Sequence, residues 1–248
     1  MAVGQQNKDK DRQDYMDLDN TLLDRLRGVD TPTICNAIEV AQNKRGFANF
    51  TRQQMFCTEP EAPAMVGYAL TAKIRGKMPP EDSLEVTKQR RMDYYRYVGE
   101  GPRPGIVVIE DTDQEQACGA YWGEINTSVH KGFGIEGVVT NGLVRDLGDI
   151  PSGFPVLAGS VGPSHGFVHV LAYNCPVSVF GLQVQPGDLI HADRHGACAI
   201  PADILDKMSA ALDQLTASEA IVLNAAKKPG FDFAAFEAAW DAFEKSRT

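Results

Sequence analysis

Two apolar runs, residues 106–110 (IVVIE) and 137–140 (GVVT), flank a stretch with a helical pattern that ends near Lys131, and this arrangement restricts the fold more than any other feature of the chain. Runs this short and this apolar read as buried strands. A helix between two such strands joins them in parallel, because a crossover returns the chain to the same end of the sheet. The chain is therefore expected to be α/β with a parallel sheet at its centre. The alternating segment 66–74 (VGYALTAKI) reads as a further strand, and residues 155–157 as a small one. Beyond position 167 the pattern changes. Short β segments at 167–172, 177–180, 182–184, 189–192 and 197–200 are separated by Pro186-Gly187-Asp188, Arg194-His195-Gly196 and similar turns, so this part is expected to be mainly antiparallel.

Helices frame this core. Leu22, Leu23 and Leu26 repeat at helical spacing, and Asp30-Thr31-Pro32-Thr33 supplies a cap and an early proline for a second helix to about Ala41. Residues 83–97 predict a half-exposed helix whose apolar positions are Leu84, Val86, Met92 and Tyr95, with Val98 just beyond. An amphipathic helix over 202–225 and a helix with an aromatic stripe over 231–245 close the chain, the stripe suiting a core or a subunit interface. Residues 1–17 read as a charged, flexible tail, 18–206 as the α/β domain and 207–248 as a helical extension.

Charge and cysteine usage narrow the partners. A formal charge of -9 and a pI of about 5.0 argue against a sequence-independent grip on nucleic acid and against anionic membrane surfaces. No apolar stretch approaches the roughly 20 residues of a spanning helix. The first twenty residues are polar, so neither a secretory signal nor an anchor is expected. The 5 cysteines are scattered and never form CxxC, which reads as reduced thiols in a cytoplasmic protein with small-molecule or protein partners.

Chemistry is concentrated in residues 137–146 (GVVTNGLVRD). Val138 and Val139 suit a buried strand, Asn141 and Gly142 a pair with positive φ, and Val144 a return to the core. Charge then appears where a strand ends. A carboxylate at Asp146 is a hard ligand for a divalent metal, and the guanidinium of Arg145 forks onto a substrate carboxylate; the plainer reading of the pair is a salt-bridged turn. Upstream, Gly123-Glu124 opens a helix whose first amides, at Glu124, Ile125 and Asn126, can bind a carboxylate. Glu124 read alone is a cap or dipole partner. An open α/β sheet places ligands in such a crevice, outside the carboxyl ends of its strands.

These residues resemble the RraA-like family, which includes class II pyruvate aldolases acting on 4-hydroxy-4-methyl-2-oxoglutarate and 4-carboxy-4-hydroxy-2-oxoadipate. The pattern is carried by Gly123-Glu124, Gly134, Gly137, Val138, Val139, Gly142, Arg145 and Asp146, and by a second hairpin motif at Pro186, Gly187, Asp188, Asp193, Gly196 and Pro201. The likeness spans roughly residues 31–206. It implies an RraA-like swivelling β/β/α core with helical extensions at both ends. It also implies that Asp146 holds magnesium or manganese partly through waters, that Arg145 contacts the substrate, that Glu124 sits near those waters, and that the amides after Gly123 hold the pyruvate carboxylate. The expected reaction is metal-dependent retro-aldol cleavage of a 4-hydroxy-2-oxo acid to pyruvate and a carbonyl product, with oxaloacetate decarboxylation beside it, in a homotrimer or homohexamer. The alternative is a non-catalytic RraA-like regulatory binding protein. Three features depart from the family pattern: Asn141 stands where aldolases of the family often carry an acid, Asn126 stands where an apolar residue is usual, and the 76–105 region is long. His165, His169, His191 and His195 have no compact metal-binding spacing and read as strand and turn residues, and His130 as either a supporting residue behind the site or an exposed one.

Overall fold

The computed structural model describes residues 18–246, so the expected N-terminal tail lies outside the described residues. Helix α1 (Asn20–Arg27) is capped by Asp19, and α2 (Thr31–Gln42) by Asp30, whose carboxylate accepts the Thr33 amide at 2.9 Å. Strand β1 (Phe56–Cys57) precedes the long β2 (Met65–Arg75), and α3 (Leu84–Glu100) starts at the Ser83 cap. The crossover follows as β3 (Gly105–Asp111), β4 (Ala120–Trp122), α4 (Glu124–Gly132), β5 (Ile135–Thr140) and β6 (Leu143–Val144). Then come β7 (Val156–Ala158), β8 (Ser160–Val161), β9 (His169–Tyr173), β10 (Val177–Val179), β11 (Leu182–Val184), β12 (Leu189–Asp193) and β13 (Gly196–Ile200). The helix expected from 202 begins instead as a 3-10 segment, Ala202–Lys207, and continues as α5 (Met208–Ala226); α6 (Phe233–Ser246) ends the described chain.

The main sheet is eight-stranded, ordered β1-β7-β5-β3-β2-β12-β13, with β9 also on β2. β2, β3, β5 and β7 are mutually parallel, as the crossover requires, whereas β12, β13 and β9 join antiparallel. On the edge away from β3, β2 serves two partners along its length. Residues 65–68 pair with β12, residues 72–75 with β9, and a register shift falls between Lys73 and Ile74. A second, three-stranded sheet, β4-β6-β8, is parallel throughout, and β10 and β11 form a separate hairpin.

Burial on both faces explains the apolar run in β3. Val107 and Ile109 pack with Tyr94 and Val98 of α3, Trp122 and Val138, while Ile106 and Val108 face the β10–β11 hairpin through Val177, Val179, Leu182 and Val184. A third cluster joins α1, α2 and the first half of α5 to Val66, Tyr68, Leu189 and Ile200. α3 does not bury the stripe expected of it. Tyr94 and Val98 are fully buried, but Leu84, Val86 and Met92 are exposed, because the helix packs through its C-terminal half, where Tyr94, Tyr95, Tyr97 and Val98 join a core cluster with Val170 and Tyr173 of β9. α6 rests on α5, with Phe233 and Trp240 exposed. Among the described residues no helix is long and apolar enough to cross a membrane.

The hairpin motif at 186–201 has structural work. Gly187 and Gly196 take φ of +86° and +128°. The Asp188 carboxylate accepts the Gln185 amide at 2.7 Å, and Asp193 accepts the amides of Thr31 at 3.0 Å and His195 at 2.8 Å. Burial opposes ionisation of Asp193, but these bonds outweigh it and hold the carboxyl below its ordinary range. The motif therefore ties the β12–β13 hairpin to the start of α2. His191 lies beside it, fully buried between the Thr31 hydroxyl at 2.9 Å and the Leu26 carbonyl at 3.0 Å.

Candidate active site

The small β4-β6-β8 sheet positions the Arg145-Asp146 pair. β6 runs beside β4, and the Arg145 amide donates to the Trp122 carbonyl at 2.8 Å, which places Arg145 next to the Gly123 turn into α4. Asp146 then takes φ of +54°, a left-handed conformation that aspartate tolerates better than most residues. The expectation of positive φ at Asn141 and Gly142 is not met; neither residue is left-handed. Asn141 uses its amide group instead, accepting from the Asp111 amide at 2.7 Å and donating to the Asp111 carbonyl at 2.9 Å, so it locks the carboxyl ends of β3 and β5 together.

Gly123, Glu124, Arg145 and Asp146 converge. Asp146 Oδ2 accepts the Glu124 amide at 3.2 Å and lies 3.7 Å from Arg145 Nη1. Gly123 is the N-cap of α4 and offers no side chain, so Asp146 caps this helix from 22 residues away. The Glu124 amide is thus not free for substrate, contrary to expectation. The amides of Ile125 and Asn126 remain, lacking an intrahelical acceptor because they lie in the first turn. The Ile125 and Glu124 side chains are exposed, whereas that of Asn126 turns inward, accepting from the Tyr95 hydroxyl and donating to the Tyr121 carbonyl. The Arg145 and Asp146 side chains are about a third exposed, at 31% and 33%. Arg145 Nε is buried beside Gly123 with no hydrogen-bond partner.

Among the described residues no three His, Cys, Asp or Glu side chains are grouped to hold a metal ion. The accessible donors here are the carboxylates of Asp146 and Glu124. This set fits magnesium or manganese, which take one or two carboxylates and fill the remaining positions with water and substrate oxygens. A cavity of about 590 Å³ opens nearby in sequence, at Glu110, Asn141, Leu143, Ser160 and Arg52, but neither Arg145 nor Asp146 lines it. The converging charged groups, and not the roomier cavity, mark the candidate centre.

Two titratable groups here are buried, and one of them, Asp111, escaped the sequence. His130 is fully buried, its Nδ1 donating to the Asn126 carbonyl at 2.6 Å and its Nε2 accepting from the Tyr94 hydroxyl at 2.8 Å; the exposed alternative for this residue is excluded. Burial pushes it down to about 4. Asp111 is also fully buried, with Oδ2 unpartnered and Oδ1 accepting the Asp113 amide at 3.0 Å, and burial pushes its carboxyl up to about 6. An acid ending an apolar run was the available signal for Asp111; for His130, burial removes the exposed one of its two sequence readings.

The two titrations act on stability with opposite signs. The unfolded chain protonates His130 near its ordinary value of 6.5 while the fold keeps it neutral to about 4. Its contribution is complete above pH 6.5 and falls by roughly 3 kcal/mol as pH drops through that window. Asp111 binds its proton earlier in the fold than in the unfolded chain, so it adds stability as pH falls from about 6 towards its ordinary value of 3.8. The wild-type profile is therefore flattened, and the effect is read as a difference. In urea unfolding, the advantage of wild type over His130→Gln should shrink by roughly 3 kcal/mol between neutral pH and about pH 4. A pH-independent difference would refute the buried neutral histidine.

Comparison with known proteins decides the family. A family model described as RraA-like, Aldolase/RraA, matches residues 31–198. The chain belongs to the RraA-like family. Curated relatives include the protein DlpA of Legionella pneumophila, 32% identical over 45% of this chain and 18% of its own length. Another is a putative 4-hydroxy-4-methyl-2-oxoglutarate aldolase of Halalkalibacterium halodurans, 30% identical over 40% of this chain and 47% of its own. The chain spans about half or less of the length of these relatives. Among solved structures, an uncharacterized protein from Pseudomonas syringae aligns with a TM-score of 0.67 at 20% identity, covering 92% of this chain and 96% of that one. RraAS2 of Streptomyces coelicolor, described as an unusual member of the RNase ES inhibitor RraA protein family, aligns at 0.62 with 21% identity over 81% and 95%. At these identities the likeness establishes the RraA-like α/β fold.

Proposed function

We propose that this RraA-like protein is a divalent-metal-dependent carbon–carbon lyase that cleaves a 4-hydroxy-2-oxo acid to pyruvate and a carbonyl product, and that it also decarboxylates oxaloacetate. The observation that carries this reading is the meeting of the Gly123-Glu124 helix start with Arg145-Asp146, from segments 22 residues apart, in a family that includes a relative named as an oxo-acid aldolase. Asp146, with Glu124 beside it, would hold magnesium or manganese. When bound, the cation supplies Lewis acidity at the 2-oxo oxygen, where negative charge develops as the C–C bond breaks.

The chain supplies the rest. Arg145, held by its backbone bond to Trp122 and with its side chain partly exposed, would fork onto the oxo-acid end of the substrate. The Ile125 and Asn126 amides, at the positive end of the α4 dipole, receive the carboxylate. The Glu124 carboxylate, which is exposed, would accept a proton from the substrate hydroxyl, directly or through water. We place this site in a homotrimer or homohexamer.

Pyruvate itself tests the reading, because its formation by cleavage must run backwards as far as loss of a methyl proton. With magnesium or manganese in deuterated water, the protein should exchange the pyruvate methyl protons well above the metal-only rate. A chelator should stop the exchange and added metal restore it. No exchange, together with untouched oxaloacetate, would replace the lyase by the regulatory binding protein that is the second reading.

A further inference from the structure

Two of the sequence features that depart from the family pattern, the long 76–105 region and the polar residue at Asn126, meet in the structure. The region folds as α3, and the Tyr95 hydroxyl on that helix donates to Asn126 Oδ1, while Asn126 Nδ2 donates to the Tyr121 carbonyl. One turn along α4, His130 Nδ1 faces the Asn126 carbonyl, which can only accept, so this nitrogen carries the proton and Nε2 accepts from the Tyr94 hydroxyl. Trp122, the last residue of β4, lies edge-on to the imidazole at 4.8 Å between centroids. At the other end of α4, Arg103 donates to the Val98 carbonyl, one turn beyond Tyr94 on α3, at 3.0 Å and to the Phe133 carbonyl that ends α4 at 2.7 Å.

α4 is therefore tied to the C-terminal half of α3 at both of its ends, directly at its first turn and through Arg103 at its last, and its first turn is fixed in rotation as well as in position. A leucine at 126 would fill the same space, but it would leave the Tyr95 hydroxyl and the Tyr121 carbonyl without these partners. Directional bonds behind a helix whose front amides serve as the binding surface set orientation, which packing alone leaves loose.

We propose that Tyr94, Tyr95, Asn126 and His130 are positioning residues: through them α3 holds the first turn of α4 so that the Ile125 and Asn126 amides stay aimed beside Arg145 and Asp146 to receive a substrate carboxylate. This inference rests on the lyase reading of the site for its substrate, but not for its mechanics. No one of the four touches the reacting atoms with its side chain. Their effect should therefore fall on substrate binding more than on turnover.

Tyr95→Phe keeps the ring and removes the hydroxyl, Tyr94→Phe does the same at the second contact, and Asn126→Leu removes both bonds of that side chain. The first measurement is amide hydrogen exchange resolved at Thr127 and Ser128, the first amides of α4 with a partner inside the helix turn; the Thr127 amide donates to the Gly123 carbonyl at 3.0 Å. Exchange there should be roughly ten-fold faster in Tyr95→Phe and Asn126→Leu, with core strands unchanged. The double variant should be no worse than Asn126→Leu alone, since the two residues share one bond. The second measurement is pyruvate methyl-proton exchange, in which Tyr95→Phe should raise KM roughly ten-fold and leave kcat within about two-fold. Unchanged amide exchange overturns the proposal outright. Faster amide exchange with unchanged KM leaves a structural clamp and overturns the positioning role. If wild type processes neither pyruvate nor oxaloacetate, the lyase reading fails, and the Thr127 and Ser128 rates alone decide whether α3 fixes α4.

Discussion

Asp146→Asn should lower metal-dependent pyruvate exchange and oxaloacetate decarboxylation by at least about a thousand-fold, to the metal-only rate, while leaving the protein folded. The substitution separates the two tasks of this side chain. Asparagine tolerates the left-handed φ of +54° and keeps an oxygen for the Glu124 amide, so the cap on α4 and the turn survive. It loses the negative charge that would bind a divalent cation. Asp146→Ala should lose the same activity and also roughly 1–2 kcal/mol of stability, because alanine pays the full penalty of the left-handed region. Thermal unfolding beside activity for both variants makes the comparison. Wild-type turnover in a well-folded Asp146→Asn protein would reduce Asp146 to a helix cap and return the pair to a salt-bridged turn.

Gly123→Ala should lower kcat/KM about a hundred-fold with little change in the fold. The backbone there is extended, at φ of -157° and ψ of -172°, and alanine adopts it freely. Space is the obstacle. A Cβ would overlap the Asp146 carboxylate and lie 3.0 Å from Arg145 Cγ and 3.1 Å from Arg145 Nε. Both side chains are partly exposed and can yield, so the strain is relieved by moving the charged pair away from the helix start. A displacement of about 1 Å in a positioned group is enough for a loss of this size. Steady-state kinetics with oxaloacetate and circular dichroism of the purified variant would check it; undiminished kcat/KM would mean that the contact of Gly123 with the pair has no part in the reaction.

The same glycine shows how far local sequence reaches. Gly123-Glu124 at a helix start and Arg145-Asp146 after a strand were legible as separate features, and the crossover between β3 and β5 was enough to bring them to one end of the sheet. Their mutual contact was not legible, nor was the left-handed residue. Asn-Gly is a strong signal for positive φ, but here Asn141 finds better partners in the main chain of Asp111, 30 residues away, and the turn is made further on at Asp146.

By itself the sequence determined the alternation of strand and helix, the cap at Asp30, the change from parallel to antiparallel pairing from β9 onward, and the residues able to do chemistry. Each of these depends on the preferences of a residue and its near neighbours, whose spacing repeats along the chain. Tertiary structure alone decided that His130 is buried and neutral, that Asp111 keeps an unpaired oxygen, that the apolar residues at the start of α3 stay exposed, and that Asn126 turns towards Tyr95 and not to solvent. Burial and hydrogen bonding between segments depend on which surfaces meet when the sheets and helices pack. That is a property of the whole chain, and no local pattern encodes it.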